Sequence, residues 1–259
     1  MTAVASAPKP MLDLSGQVAV VTGGSSGIGL AVVSELGRRG ARVVVAGRDP
    51  ERVAAAAARV PEGLGVAGCD VRESASVERL FDEAVARFGT VDLLVTSAGI
   101  GASPRSRKGL PIAMMHLSVE EWDDVIDTNL LGPLHANRCA ARIMSEQGGG
   151  QILNISSAPA ARRGYAYASS YCASKHALNA FTQSLIEELE PLGIRVIAML
   201  PDMVDTPMVQ GTQLAAGGML RPDTVGAFVV DCLAQPWDVR FDQAVLLPVG
   251  VGSYQQKGH

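Results

Sequence analysis

A five-residue apolar run, Val18–Thr22, leads straight into the turn TGGSSGIG (Thr22–Gly29), and a helical pattern follows as far as Gly40. The run is too short for a helix and rich in valine, so it reads as a buried strand. A strand-to-helix turn with glycine at 23, 24, 27 and 29 can adopt positive φ and leaves its backbone open to close approach. The helix N-terminus behind it offers free N–H groups and a positive dipole end, which together suit a pyrophosphate. The spacing is G-x-x-x-G-x-G rather than G-x-G-x-x-G, but the strand–turn–helix setting still points to a dinucleotide site. Its contacts are expected from Gly23, Ser25, Ser26, Gly27, Ile28 and Gly29.

The same alternation continues along the chain. Further apolar runs at Ala41–Gly47, Leu64–Cys69, Val91–Ser97, Gln151–Ser156, Arg195–Leu200 and Gln243–Val249 read as strands. Between them lie amphipathic stretches at Pro50–Val60, Ser74–Phe88, Ser118–Gln147, Ser174–Leu189 and Pro222–Leu233. Ser74 is the expected N-cap of its helix, and SVEE opens the long one as a capping box. Repeated strand–helix units with continuously apolar strands predict an α/β fold: a doubly wound Rossmann sheet of about seven parallel strands, helices on both faces. No linker or repeat divides the chain, so residues 11–259 are expected to form a single domain behind a disordered tail, 1–10. Hydrophobic residues are 47% and charged residues 19%, which excludes a disordered chain. A formal charge of −4 gives no pull toward nucleic acid or an anionic membrane. No apolar run approaches the ~18 residues of a membrane span. Four scattered cysteines and four histidines without ligand spacing argue against a disulfide framework or a metal site, and a reducing cytoplasm is the expected setting.

Strand two ends at Gly47 and Arg48. A carboxylate there would bond a ribose 2′-OH; a guanidinium suits a 2′-phosphate. NADP(H) is therefore the preferred cofactor, with NAD(H) the second choice. Asp70, with Val71 beside it, either accepts a hydrogen bond from an adenine amino group or serves as a turn residue. Tyr171 and Lys175, in YCASK, are one helical turn apart, and no other tyrosine has a lysine at this spacing. A phenol is a poor acid–base group at neutral pH unless its anion is stabilised, which a nearby ammonium does. Ser157, at the end of NISS, can hold a carbonyl oxygen in the crevice. Asn129 is an unexpected residue inside the long helix; it either holds a water or faces solvent.

TGGSSGIG, GCDV, TSAG, Asn129, NISS, YCASK and LPDMVDTP, in this order, make the chain resemble the short-chain dehydrogenase/reductase family, in its subgroup of roughly 250 residues, from Leu14 to about Val249. The resemblance implies hydride transfer between a nicotinamide and a carbonyl or alcohol. It assigns catalytic roles to Asn129, Ser157, Tyr171 and Lys175, with Asn129 anchoring a water. It also implies cofactor contacts from Ser97, Ala98, Gly99, Val204 and Thr206, besides Tyr171 and Lys175. The chain departs from the family where Thr96-Ser97 replaces the usual Asn-Asn and Asp202 the usual glycine. Ser157 lies 14 residues before Tyr171, one more than usual, which leaves Ser156 as a second choice for the serine role. The C-terminal region is more similar to the hydroxy-acid and general carbonyl reductase branches than to fatty-acid-synthesis reductases. The family also implies assembly through the two long helices, and their apolar positions (Val125, Ile126, Leu130, Leu134 and Ile143; Leu178, Phe181, Leu185 and Leu189) predict a homodimer or homotetramer.

Two other functions fit parts of the pattern: a catalytically silent dinucleotide-binding regulator, and an epimerase or dehydratase, which usually has a larger C-terminal region. The basic clusters Arg105–Lys108 and Arg162–Arg163 are either solvated loop charge or an attraction for an acidic substrate. Met114, Met115, Met203, Met208 and Met219 fall in looser segments after strand ends and can line an apolar pocket.

Overall fold

The computed structural model describes residues 13–101, 112–209 and 218–249. The expected tail and the 105–108 cluster lie outside them. Seven strands form one parallel sheet: β1 (Val18–Thr22), β2 (Arg42–Gly47), β3 (Leu64–Ala67), β4 (Leu93–Thr96), β5 (Gly150–Ile155), β6 (Ile194–Pro201) and β7 (Gln243–Leu246). Their order is β3-β2-β1-β4-β5-β6-β7. The chain winds outward from β1 to β3, then crosses back to β4. The reversal leaves a crevice at the carboxyl ends of β1 and β4, where open α/β sheets bind ligands. Thr22 pairs in register with Thr96, so the glycine turn and the TSAG segment leave the sheet side by side.

The helices are α1 (Gly27–Arg38), α2 (Pro50–Ala57), α3 (Ser74–Phe88), α4 (Val119–Ile126), α5 (Gly132–Gln147), the short α6 (Ala158–Arg162), α7 (Ser169–Leu189) and α8 (Pro222–Leu233). They cover both faces, which explains the continuously apolar strands. Ala19 and Val21 of β1 enter a core shared with Val33, Leu36, Val225 and Val229. Val18 and Val20, of opposite parity, enter a second core with Leu80, Phe81, Ala140 and Met144. Alternate residues of one strand thus fill two cores. Among the described residues, no helix is long and apolar enough to cross a membrane.

Several boundaries differ from the sequence reading. Glu73, not Ser74, precedes α3 as its N-cap; Ser74 is already helical and donates its hydroxyl to Glu78 at 3.1 Å. The capping box forms as expected, with Ser118 Oγ accepting from the Glu121 amide at 3.2 Å. The long helix it opens is not continuous, because a π-helical turn at Asp127–Leu131 separates α4 from α5. The helix with Tyr171 and Lys175 begins at Ser169, five residues before the expected start, so both residues lie within it. Strands three and seven end early, at Ala67 and Leu246.

Helix α8 lies on α1 through Gly226. A Cβ there would stand 2.7 Å from the Ala31 carbonyl carbon. Helix propensity favours Gly226→Ala by ~1 kcal/mol, whereas overpacking against backbone costs about 1–3 kcal/mol. We expect overpacking to dominate and the alanine variant to unfold at lower temperature in a calorimetric scan. An unchanged or raised Tm would show that the two helices separate at little cost.

Candidate active site

The glycine turn is built for close backbone approach. Gly23 has φ +65°, and a Cβ on it would lie 2.7 Å from Ala98 Cα. A Cβ on Gly29 would lie 2.3 Å from the Gly23 carbonyl oxygen. Ser26 precedes α1 in extended conformation, and its side chain makes no capping hydrogen bond among the described residues. Ile28 packs against the first core and anchors the turn. Gly27 comes within reach of the chain after β6, its Cβ position lying 3.2 Å from Thr206 Cγ2. Bare backbone, free helix N–H groups and a covering threonine fit a dinucleotide pyrophosphate.

Ser25 Oγ lies 3.0 Å from the Cβ position of Gly47, which places a hydroxyl beside the tip of β2. Arg48 follows, exposed and with no hydrogen bond or ion pair among the described residues. Asp49 caps α2, accepting from the Arg52 amide at 3.1 Å. The carboxylate of Asp70 is gripped by Arg72 at 2.6 Å and accepts from the Arg72 amide at 3.1 Å. Arg72 holds that carboxyl below the usual range, and Arg48 adds to the effect. Asp70 thus closes its own turn through Arg72. Arg72, which no motif singled out, also reaches Asp124 at 3.0 Å and ties the turn to α4. Val71 is buried against Gly132 at the start of α5.

After β4, the Ser97 amide donates to the Thr22 carbonyl at 3.1 Å, and Ala98 packs on Gly23. A Cβ on Gly99 would meet Asn129 Oδ1 at 3.3 Å and Lys175 Nζ at 4.0 Å. Asn129 itself is completely buried, which excludes the solvent-facing alternative. Its Oδ1 accepts from the Ile100 amide at 2.9 Å; its Nδ2 donates to the Ile100 carbonyl at 3.0 Å and to Ser174 Oγ at 3.2 Å. The π turn accounts for an asparagine in mid-helix: the bulged backbone presents a carboxamide that pairs with a loop as a strand would.

Ser157 leaves β5 beside α7; its hydroxyl accepts from the Ala160 amide at 3.4 Å and lies near enough to the Tyr171 phenol to act on its titration. Ser156, the second choice, instead donates to the Lys175 carbonyl at 3.3 Å. Lys175 Nζ donates to the Ile155 carbonyl at 2.9 Å and lies 5.9 Å from the Tyr171 ring centroid. Burial pushes the Tyr171 phenol above its ordinary value, and the neighbouring Ser157 hydroxyl acts the other way. The Lys175 ammonium is turned onto the Ile155 carbonyl rather than onto the phenol oxygen. Burial pushes the Lys175 ammonium down to about 8.

After β6, the Asp202 carboxylate accepts from the Met203 amide at 2.8 Å within its own turn. Val204 is buried and bridges to Leu220. Met208 passes over the crevice, its Cε 4.0 Å from the Cβ position of Gly99. Met114 and Met115 are exposed in a short 3₁₀ turn, Met114–His116.

The lowered lysine has a consequence for stability. Between about 8 and its ordinary 10.5, the unfolded chain holds a proton on Lys175 that the folded chain does not. Stability conferred by this residue must therefore rise with pH across that window. Relative to Lys175→Met, we expect the wild type to gain up to about 1.4 kcal/mol per pH unit there. Urea midpoints of both proteins between about pH 7 and about pH 9.5 measure this. A constant difference would mean that the ammonium stays charged in the folded protein.

The comparisons agree with this architecture. A family model described as short chain dehydrogenase matches residues 17–216. An uncharacterized oxidoreductase of Staphylococcus epidermidis is 33% identical over 239 residues, covering 92% of this chain and all of that protein. Among solved structures, the 3-ketoacyl-(acyl-carrier-protein) reductase of Brucella melitensis complexed with NADH superposes with a TM-score of 0.81 at 28% identity, over 90% of this chain and 98% of that one. A variant of the actinorhodin polyketide ketoreductase with NADPH gives a TM-score of 0.79 at 33% identity, over 89% and 95%. With a glycine turn, a crevice and a Ser157–Tyr171–Lys175 cluster on one seven-stranded sheet, this chain belongs to the short-chain dehydrogenase/reductase family.

Proposed function

We propose that the protein is an NADP(H)-dependent oxidoreductase that interconverts a ketone or aldehyde with an alcohol. The observation that carries this reading is the Ser157 hydroxyl beside the Tyr171 phenol at the carboxyl end of β5, with Lys175 one helical turn away on α7 and bonded to Ile155. A nicotinamide dinucleotide, when bound, supplies or accepts the hydride. Tyr171 gives the proton to the carbonyl oxygen during reduction, or removes it from the alcohol in the reverse direction. Ser157 orients that oxygen by donating its single hydroxyl proton to it. Lys175 releases Ile155 in part to meet ribose hydroxyls and to stabilise the phenolate. Asn129 holds the Ile100 segment and, through Ser174, the first turns of α7. A regulator without turnover would not need this donor pair aimed at one point. Oxidoreductase relatives and neighbours solved with NADH or NADPH support the reading.

The rest of the proposal follows the same logic. Val204 and Thr206 cover the nicotinamide end of the cofactor, while Asp70 and Val71 flank the adenine. The protein works as a dimer or tetramer through α5 and α7, where Leu134, Ile143, Phe181 and Leu185 remain only partly buried. A cytoplasmic setting is supported by four buried cysteines without a disulfide.

Tyr171→Phe should abolish NADPH oxidation against a panel of carbonyl compounds while leaving NADPH binding within a few-fold. Activity above a tenth of wild type would overturn the tyrosine's role. Ser157→Ala should lower kcat by roughly 10²-fold, as loss of an oriented donor does elsewhere.

For the cofactor, the exposed Arg48 and the Ser25 hydroxyl favour a 2′-phosphate. One charge-assisted bond of about 1.5–3 kcal/mol corresponds to an NADP preference of roughly 10- to 150-fold. Arg48→Ala should remove most of it, mainly in the KM for NADPH, and spare NADH. Equal efficiency of the wild type with both dinucleotides, or an unchanged ratio in the variant, would leave Arg48 a solvated loop charge.

A further inference from the structure

Beneath the crevice, a group of polar side chains lies where the flanking cores are apolar. Thr96 of β4, Asn137 of α5, Asn154 of β5 and Thr182 of α7 are all at most 3% exposed. Asn154 Oδ1 accepts from Thr96 Oγ1 at 2.7 Å and from Asn137 Nδ2 at 2.9 Å. Asn154 Nδ2 donates to Asn137 Oδ1 at 3.1 Å and to Thr182 Oγ1 at 3.1 Å. Every donor and acceptor of the carboxamide is used. Its orientation is also determined. The Thr182 hydroxyl donates to the Leu178 carbonyl at 2.7 Å, so toward Asn154 it can only accept.

What they join is informative. Asn154, Ile155, Ser156 and Ser157 are consecutive and all face α7, the first three through hydrogen bonds. Asn154 meets Thr182, Ile155 and Ser156 meet Lys175, and Ser157 meets Tyr171. Thr182, Lys175 and Tyr171 repeat at helical spacing along one side of α7. Apolar contacts such as those of Leu178 and Ile186 are non-directional and tolerate sliding. Hydrogen bonds have a narrow distance range and do not.

We propose that Asn154 is a positioning residue: its carboxamide sets the height of α7 on β5, and so places Lys175 and Tyr171 against Ile155 and Ser157, an inference that rests on the oxidoreductase reading of that site. Thr96, where the family usually has asparagine, keeps the network satisfied by donating its hydroxyl.

Thr182→Val tests this, since it removes the α7 acceptor and keeps the side chain's shape. It should lower kcat for carbonyl reduction about ten-fold, because small misplacement of reacting groups is costly, and shift the pH profile of kcat. The KM for NADPH should stay within about two-fold. Thr182→Ser, which restores the hydroxyl, should recover most of the loss. Asn154→Asp, which cannot donate as a carboxylate, should act in the same direction if the valine variant folds poorly. A readout independent of turnover is ¹³C NMR of labelled lysine, as the chain has only four lysines. In Thr182→Val the Lys175 titration should move from about 8 toward the ordinary lysine value as water reaches the displaced ammonium. That shift supports the proposal whether or not a carbonyl substrate is known; a wild type that reduces no carbonyl compound overturns the oxidoreductase reading alone. A folded Thr182→Val with a wild-type lysine titration and pH profile, however low its Tm, overturns the proposal.

Discussion

The hydrogen bond from the Lys175 ammonium to the Ile155 carbonyl, 2.9 Å long and buried, joins the fold to the chemistry. A buried charge is tolerated only when something receives it. Here the receiver is the backbone of β5 just beyond the point where β4 has ended, since the β4–β5 pairing stops at Thr96 and Asn154. The offset between the two strands therefore opens a place at the sheet edge for the lysine. It also leaves Ser156 and Ser157 projecting past the sheet toward α7. The site depends on strand lengths as much as on the residues that line it.

Two kinds of interaction divide the structure. The apolar cores on either sheet face supply most of the driving force for folding, and their parity follows from alternate residues of β1 and its neighbours. They leave helix positions loosely determined along the strand direction. Near the crevice the packing becomes polar and specific: Asn129 to Ile100 and Ser174, Asn154 to three elements, Arg72 across Asp70 and Asp124. At the glycine turn the constraint is steric, for a single Cβ at Gly23 or Gly29 would overlap backbone. Asn129 and Arg72 hold loops in this way, whereas Asn154 ties β5 to the bodies of α5 and α7.

Much of this was legible before any coordinates. The strand–turn–helix at Val18–Gly40 and the continuously apolar runs carry the parallel sheet, because burial on both faces leaves a direct compositional mark. The Tyr171–Lys175 pair is visible because helical spacing is periodic. Other features leave no such mark. The π turn at Asp127–Leu131 has no distinctive composition; only the misplaced Asn129 hinted at it. Its partner is the backbone of Ile100, so no side-chain pattern could reveal the contact. Arg72 lies in an ordinary turn, and its bridge to Asp124 spans 52 positions. The choice between Ser156 and Ser157 depends on how the strand end twists, and side-chain alternation resolves it only once the end of β5 is known. The Thr96–Asn137–Asn154–Thr182 network joins residues up to 86 positions apart and looks, in sequence, like four unrelated polar residues.

A crystal structure of the protein with NADP and an unreactive carbonyl ligand tests the central claim most directly. The account predicts the ligand's oxygen within hydrogen-bond reach, about 2.6–3.2 Å, of both Tyr171 Oη and Ser157 Oγ. A ligand oxygen held by other groups, with the Tyr171 phenol turned out of the crevice, would contradict it.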